Sequence, residues 1–201
     1  MATVPTVPAT PYSPGNIPNQ TDFNTYIRDA QNFFLNVPRV VAKSSTGTVA
    51  RSTPTNWDPV AWNAEDMDND TSHDTVTNNS RLIAKTAGTY YAWVSIVWEN
   101  HSVQAYDGLR ACVIRKNSAG SPVGGSQVAL DRRASNSNPN GNYTASNQGC
   151  GGYVALAVND YVEVLVYDND DDTIPISTAV GCYLETTIYA SMRFGMQWVS
   201  I

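Results

Sequence analysis

Asp66, Asp68 and Asp70 alternate as the first ligands of a calcium-binding loop do. The rest of that loop is missing. Its sixth position is Thr71, where the sharp turn needs Gly, and its twelfth is Thr77, where a bidentate Glu is needed. Asp168, Asp170, Asp171 and Asp172 form a second acidic cluster. Both groups fall among Asn, Ser and Thr, where Asp ordinarily hydrogen-bonds its own backbone to make turns. The 2 histidines, His73 and His101, stand beside predicted turns, and no nucleophile motif accompanies them. Glycoside hydrolysis needs two carboxylates about 5–10 Å apart across a cleft, and the spacing singles out no such pair. Gly-Gly at 124–125 and 151–152 lacks the strand–turn–helix context of a phosphate loop. Cys112, Cys150 and Cys182 are odd in number and too widely spaced for a zinc pattern, so they are expected as buried free thiols. No catalytic residue, metal or cofactor is expected.

Aromatic side chains are the remaining candidates, with 5 Trp and 11 Tyr. Trp93, Trp98 and Trp198 fall in strand-like segments and fit core or subunit contacts. Trp57 and Trp62 lie near a loop, where they could meet a sugar ring.

Composition narrows the function further. The chain of 201 residues carries a net charge of −6, and only 15% of it is charged, against about 25% in an average globular protein. The 12 basic residues are scattered, with Arg132-Arg133 the densest pair. That excludes the clustered cations a nucleic-acid surface requires. No run approaches the roughly 20 apolar residues of a membrane span. The N-terminus lacks a basic segment followed by an apolar one, so no signal peptide is expected. The expected location is the cytoplasm, or a particle assembled there.

Three segments must position these residues. Residues 1–18 repeat Pro every third position, at Pro5, Pro8, Pro11 and Pro14. A polyproline II helix has three residues per turn, so the rings line one edge of an extended arm. Val4, Val7, Tyr12 and Ile17 are its apolar contacts. Residues 19–36 predict an amphipathic helix. Asn19 is the N-cap and Asp22 completes a capping-box-like pair. Phe23, Tyr26, Ile27, Ala30, Phe33 and Phe34 form its docking stripe, and Asn36 and Pro38 end it.

From residue 37 to 201 the period becomes two. Leu184, Thr186, Ile188, Ala190, Met192, Phe194, Met196 and Trp198 share one face of a long strand. Tyr90, Ala92, Val94, Ile96 and Trp98 share a face of another. The other face of that second strand is largely apolar too, so it is expected to be central or covered on both sides. Further strands are predicted near 38–43, 81–85, 109–116, 127–131, 152–158 and 161–167. Loops are predicted at 63–80, 117–126, 134–151 and 168–177. The expected fold is all-β, an antiparallel sandwich preceded by an extended proline-rich arm and one short α-helix.

The order of segments then resembles a known superfamily. Gly88-Thr89-Tyr90 opens an apolar strand, Leu109 to Arg115 follows, and Leu156 to Val164 carries Asn159-Asp160 before its second strand. This resembles the jelly-roll superfamily of tumour necrosis factor and the complement globular head, in which Gly-Asp takes the place of Asn159-Asp160. The resemblance implies a jelly roll over about 38–201 and a homotrimer. Asp22 to Asp29, then Phe33-Phe34-Leu35 and Pro38-Arg39, looks like a helix at the start of minor capsid, decoration or minor tail proteins of tailed bacteriophages. That implies a virion protein assembled in the host cytoplasm. Its partners would be other copies of itself and the major capsid protein or another virion protein, bound through the arm and helix. The alternative is a tail-tip or fibre-head module that binds host glycan or receptor.

Overall fold

The computed structural model describes residues 19–44, 48–49, 57–98, 108–135, 146–168, 176–177 and 192–200. The arm residues Val4, Pro5, Val7, Pro8, Pro11, Tyr12, Pro14 and Ile17 lie outside that set, as do His101, Cys182 and residues 184–191 of the long final segment.

The helix begins as its sequence requires. The Asn19 side chain accepts from the Asp22 amide at 3.0 Å, and the Asp22 carboxylate accepts from the Asn19 amide at 3.1 Å. This reciprocal cap satisfies two amides that a first turn otherwise leaves unpaired. The helix runs as α over Gln20–Asp22, as a π segment over Phe23–Arg28, and as α again over Asp29–Leu35. The wider π turns re-aim the side chains that follow.

The described residues then form twelve strands: β1 Arg39–Lys43, β2 Thr48–Val49, β3 Asp58–Pro59, β4 Ala64–Asp68, β5 Arg81–Ile83, β6 Gly88–Trp98, β7 Gly108–Lys116, β8 Ser126–Ser135, β9 Ser146–Leu156, β10 Tyr161–Asp168, β11 Ile176–Ser177 and β12 Arg193–Ser200. They make two antiparallel sheets. In the seven-stranded sheet β6 is flanked by β9 and β12, and β12 leads on to β1 and β4. In the five-stranded sheet β3 and β5 both pair with β10, which leads to β7 and β8. The chain crosses repeatedly between sheets, and its last described strand lies beside its first. That is the strand order of a jelly-roll sandwich.

Alternation fills the space between the sheets. Tyr90, Ala92, Val94, Ile96 and Trp98 of β6 point inward, and so do Val162, Val164 and Val166 of β10 and Met192, Phe194, Met196 and Trp198 around β12. Burial at roughly 25 cal/mol per Å2 of apolar surface makes this core the main stabilising term. Gly88 sits at φ +151°, and a Cβ there would lie 2.2 Å from the Trp198 indole nitrogen. The Tyr90 hydroxyl donates to the Thr86 carbonyl at 2.6 Å. The Gly-x-Tyr pattern therefore marks a place where one strand must let the indole of another pass.

Three predicted loops differ from the structure. Residues 64–68, expected within a loop, form β4. Its sequence Ala-Glu-Asp-Met-Asp has poor strand propensity, but pairing with β1 overrides it. The predicted loop 134–151 is narrower, because β8 continues to Ser135 and β9 begins at Ser146. The Gly- and Asn-rich start of β9 is held by β6 along its whole length. The predicted loop 168–177 contains β11, which pairs with β2 and touches Trp98 of β6. At the other end of β9, extended structure stops at Leu156 rather than 158, because Asn159 takes a left-handed φ of 72°.

Candidate functional site

The outward face of the seven-stranded sheet carries an aromatic surface. Tyr91 of β6 and Tyr153 of β9 are direct cross-strand partners with ring centroids 5.2 Å apart. Tyr91 is 39% exposed and Tyr153 is 70% exposed. Trp93, the next outward residue of β6, is half-buried and lies against Gly195 of β12, where a Cβ would come within 2.7 Å of its ring. Gly151 is likewise occupied, with a Cβ falling 2.7 Å from the Tyr91 hydroxyl. Glycines on the flanking strands thus let the rings lie flat on the sheet. Met67 of β4, 38% exposed, extends the patch, and Lys43, Asp66 and Arg193 border it with charge. Hydrogen bonds from Lys43 and then Arg193 hold the Asp66 carboxyl below its ordinary range.

A second surface lies on the helix. Phe33 is buried and meets Trp198 edge to face at 4.9 Å. Trp198 is itself fixed, its amide donating to Pro38 at 2.8 Å and its indole to Ala87 at 3.2 Å. Of the predicted stripe, Phe33 docks and Ala30 is half-buried. Phe23 is 54% exposed, Ile27 41% and Phe34 68%, and Leu35 beside them is 76% exposed. The Tyr26 side chain lies outside the described residues. Among the described side chains, the helix therefore docks one aromatic ring on its own domain and leaves an apolar strip exposed.

The polar candidates are engaged inside the protein. Asp68 accepts from the amides of Asp70 at 3.1 Å, Ser72 at 3.0 Å and His73 at 2.9 Å. Asp70 is buried and receives the Thr86 hydroxyl at 3.2 Å. His73 is wedged between the Glu65 carboxylate at 2.9 Å and the Asn79 carbonyl at 3.1 Å. The calcium-like spacing is thus a carboxylate-knotted turn. Asp170, Asp171 and Asp172 lie outside the described residues, and nothing is described of the Asp168 side chain at the end of β10. Among the described residues no three His, Cys, Asp or Glu side chains are grouped to hold a metal.

Sequence reasoning missed Glu163. It is 1% exposed, and its carboxylate accepts from Ser118 at 2.5 Å, from the Gly120 amide at 2.8 Å and from the Ser80 hydroxyl. Arg81 lies 3.6 Å away and also covers the Tyr161 ring. A carboxylate so enclosed ties two loops to β10 and presents no face to a substrate. Of the loop tryptophans, Trp62 is fully buried beside Phe194 and so is no sugar platform, while Trp57 is half-buried against Tyr167.

Asn159-Asp160 has a structural role. At φ 72° Asn159 occupies left-handed space, which Gly and Asn tolerate best. Asp160 receives Lys116 at 2.7 Å, Asn117 at 2.8 Å and the Ala157 amide at 2.9 Å. Those contacts, Lys116 foremost, bring its carboxyl down to about 2.

No protein-family model matches the chain. No curated protein matches it either. Among solved structures it is similar to the globular domain of zebrafish complement 1qA protein, with 14% identity and a TM-score of 0.45, over 81% of this chain and 97% of that one. The jelly-roll order described above is a property of this chain's own strand pairing and stands apart from that likeness.

Proposed function

We propose that this chain is a non-enzymatic virion structural protein, a capsid decoration or minor capsid protein. In this reading the sandwich assembles as a homotrimer, residues 1–36 attach it to the particle, and the β-domain projects outward. The observation that carries it is the half-docked helix. Among the described side chains Phe33 holds the helix to its domain, while Phe23, Ile27, Phe34 and Leu35 stay exposed. An apolar strip of that kind fits a protein partner. The proline-rich arm immediately before it lowers the entropy lost on immobilisation, and several arms on one oligomer bind by avidity. The Tyr91–Tyr153–Trp93 face supplies a flat, apolar surface suited to a closed, symmetric contact. The phage-like pattern from Asp22 to Arg39 supports the choice of a virion as the particle.

The test uses particles that lack this protein. Full-length chain should decorate them, and chain lacking residues 1–18, or carrying Phe23→Ser with Phe34→Ser, should stay folded and bind at least tenfold more weakly. Full occupancy by both variants would sink the attachment model. Exposed paired tyrosines also fit sugar stacking, which favours a glycan-binding tail-tip or fibre-head module as the second reading. Tyr153→Ser separates the two. Loss of the trimer favours assembly, whereas an intact trimer that no longer binds host glycan favours recognition.

A further inference from the structure

Cys112 and Cys150 face one another across the sandwich. Cys112 belongs to β7 in one sheet and Cys150 to β9 in the other. Their sulfurs are 4.0 Å apart, and the Cys150 thiol also points at the Cys112 carbonyl, 3.8 Å away. A disulfide needs about 2.05 Å, so closure requires the sulfurs to approach by roughly 2 Å. The sequence around Cys150 is Gly149-Cys150-Gly151-Gly152. A Cβ at these glycines would fall 2.6 Å from the Val94 carbonyl, 2.7 Å from the Tyr91 hydroxyl and 2.9 Å from the Val128 carbonyl. β9 thus lies close against its neighbours at the thiol pair. It has no flanking side chains to be dragged along if it shifts.

We propose that Cys112 and Cys150 form a closable disulfide clasp between the two sheets, with Cys150 as the thiol that meets a small peroxide oxidant. Cys112 is fully buried, whereas Cys150 is partly exposed and is the end an oxidant can reach. The hydrogen bond between them pushes the Cys112 thiol up, reinforced by burial, and draws Cys150 down toward the thiolate. The Cys150 thiolate attacks one oxygen of hydrogen peroxide, forming a sulfenic acid and releasing hydroxide, which becomes water with the proton that the Cys150 thiol gave up. The Cys112 sulfur then attacks that sulfenic sulfur. The S–O bond breaks, an S–S bond forms, and the Cys112 proton leaves with the departing hydroxyl as water. Overall, two thiols are oxidised to one disulfide, and one peroxide is reduced to two waters. The bond would link residues 38 apart in sequence and fix the two sheets to each other at the β9 edge.

The experiment uses the full chain carrying Cys182→Ser, so that only this pair can respond. The folded protein is treated with hydrogen peroxide, then digested without reductant and analysed by mass spectrometry. The clasp predicts a linked peptide joining Cys112 and Cys150, lighter than the two free peptides by two hydrogens. It also predicts a midpoint of thermal unfolding raised by roughly 5–10 °C, from the loop closed and a chain of this size. Dithiothreitol should reverse both, and Cys112→Ala should abolish both. If Cys112→Ala does not fold, Cys150→Ala serves as the control, and the peptide map of the Cys182→Ser chain still decides. Oxidation of Cys150 to the sulfinic acid with Cys112 untouched would overturn the proposal. So would a link that forms only in denaturant, or one that lowers the midpoint.

Discussion

Single residues at the turns carry more of this fold than their composition suggests. Asp160 joins Lys116, Asn117 and Ala157, and these contacts hold its carboxyl at about 2, below the 3.8 of a free side chain. A folded value below the unfolded one means stability present in full above about pH 4, then lost as pH falls toward 2. The expected contribution is about 1–2 kcal/mol, because Asp160 remains partly in contact with water. Asp160→Asn should flatten that part of the acid limb in urea titrations between pH 2 and pH 5; an unchanged limb would assign the acid sensitivity elsewhere. Its neighbour Asn159 makes a sharper test of backbone geometry. Asn159→Gly should unfold at nearly the same urea concentration, while Asn159→Val should cost about 1–3 kcal/mol, since a β-branched residue strains left-handed space. Equal losses from both would mean that the Asn side chain, not the φ angle, is what matters. In the sequence Asn159-Asp160 stood out only through the resemblance, and Glu163 did not stand out at all. A buried carboxylate is recognisable only once Ser80, Ser118 and Gly120 have been brought to it from distant parts of the chain.

Among the elements, legibility followed periodicity. β6 alternates apolar and mixed residues without interruption, and its inward set is the one that alternation demands. Met192, Phe194, Met196 and Trp198 lie on one buried face for the same reason. β4 was hidden because three of its five residues are acidic. Strand pairing supplies what propensity withholds there, and Lys43 and Arg193 neutralise Asp66. The start of β9 was hidden because Ser, Asn and Gly read as a loop until the close-lying Tyr91 ring and the Val94 and Val128 carbonyls explain the glycines. The helix was visible from its cap and stripe, but its π segment and its division into a docked ring and an open strip were not. That division can be tested. Phe33→Ala should cost about 3–5 kcal/mol of helix docking and reduce helical circular dichroism, because it removes the ring seated on Trp198. Phe34→Ala should change stability by less than about 0.5 kcal/mol. Comparable losses from both would mean that Phe34 is covered in the native protein.

At the scale of the molecule, the sandwich and its outward aromatic face belong together. Light scattering at micromolar concentration should give three times the 21.8 kDa chain mass, and a stable monomer would end the trimer model. Phe194→Asp should leave no folded domain, since it places an unpaired charge at a fully buried position between the sheets; a cooperative melt in that variant would show the core to be misplaced. The proposed attachment and trimer are what neither periodicity nor turn chemistry encodes, because either would depend on surfaces supplied by other chains.

The place of β12 has a consequence in time. It lies between β6 and β1, and its register sets Gln197 beside Arg39 and Met196 beside Ala92. The middle of the larger sheet is therefore filled by a strand that is made after all the other described strands. Until then β1 and β6 face a gap with unpaired backbone edges, and the helix lacks Trp198 to seat Phe33. A nascent chain in that condition is a template for pairing with its neighbours. Contacts spanning nearly the whole domain also place such a topology among slow folders, on a scale of milliseconds to seconds. Slower insertion of this one eight-residue strand should therefore lower the yield of folded protein in a host cell even where the final fold is equally stable.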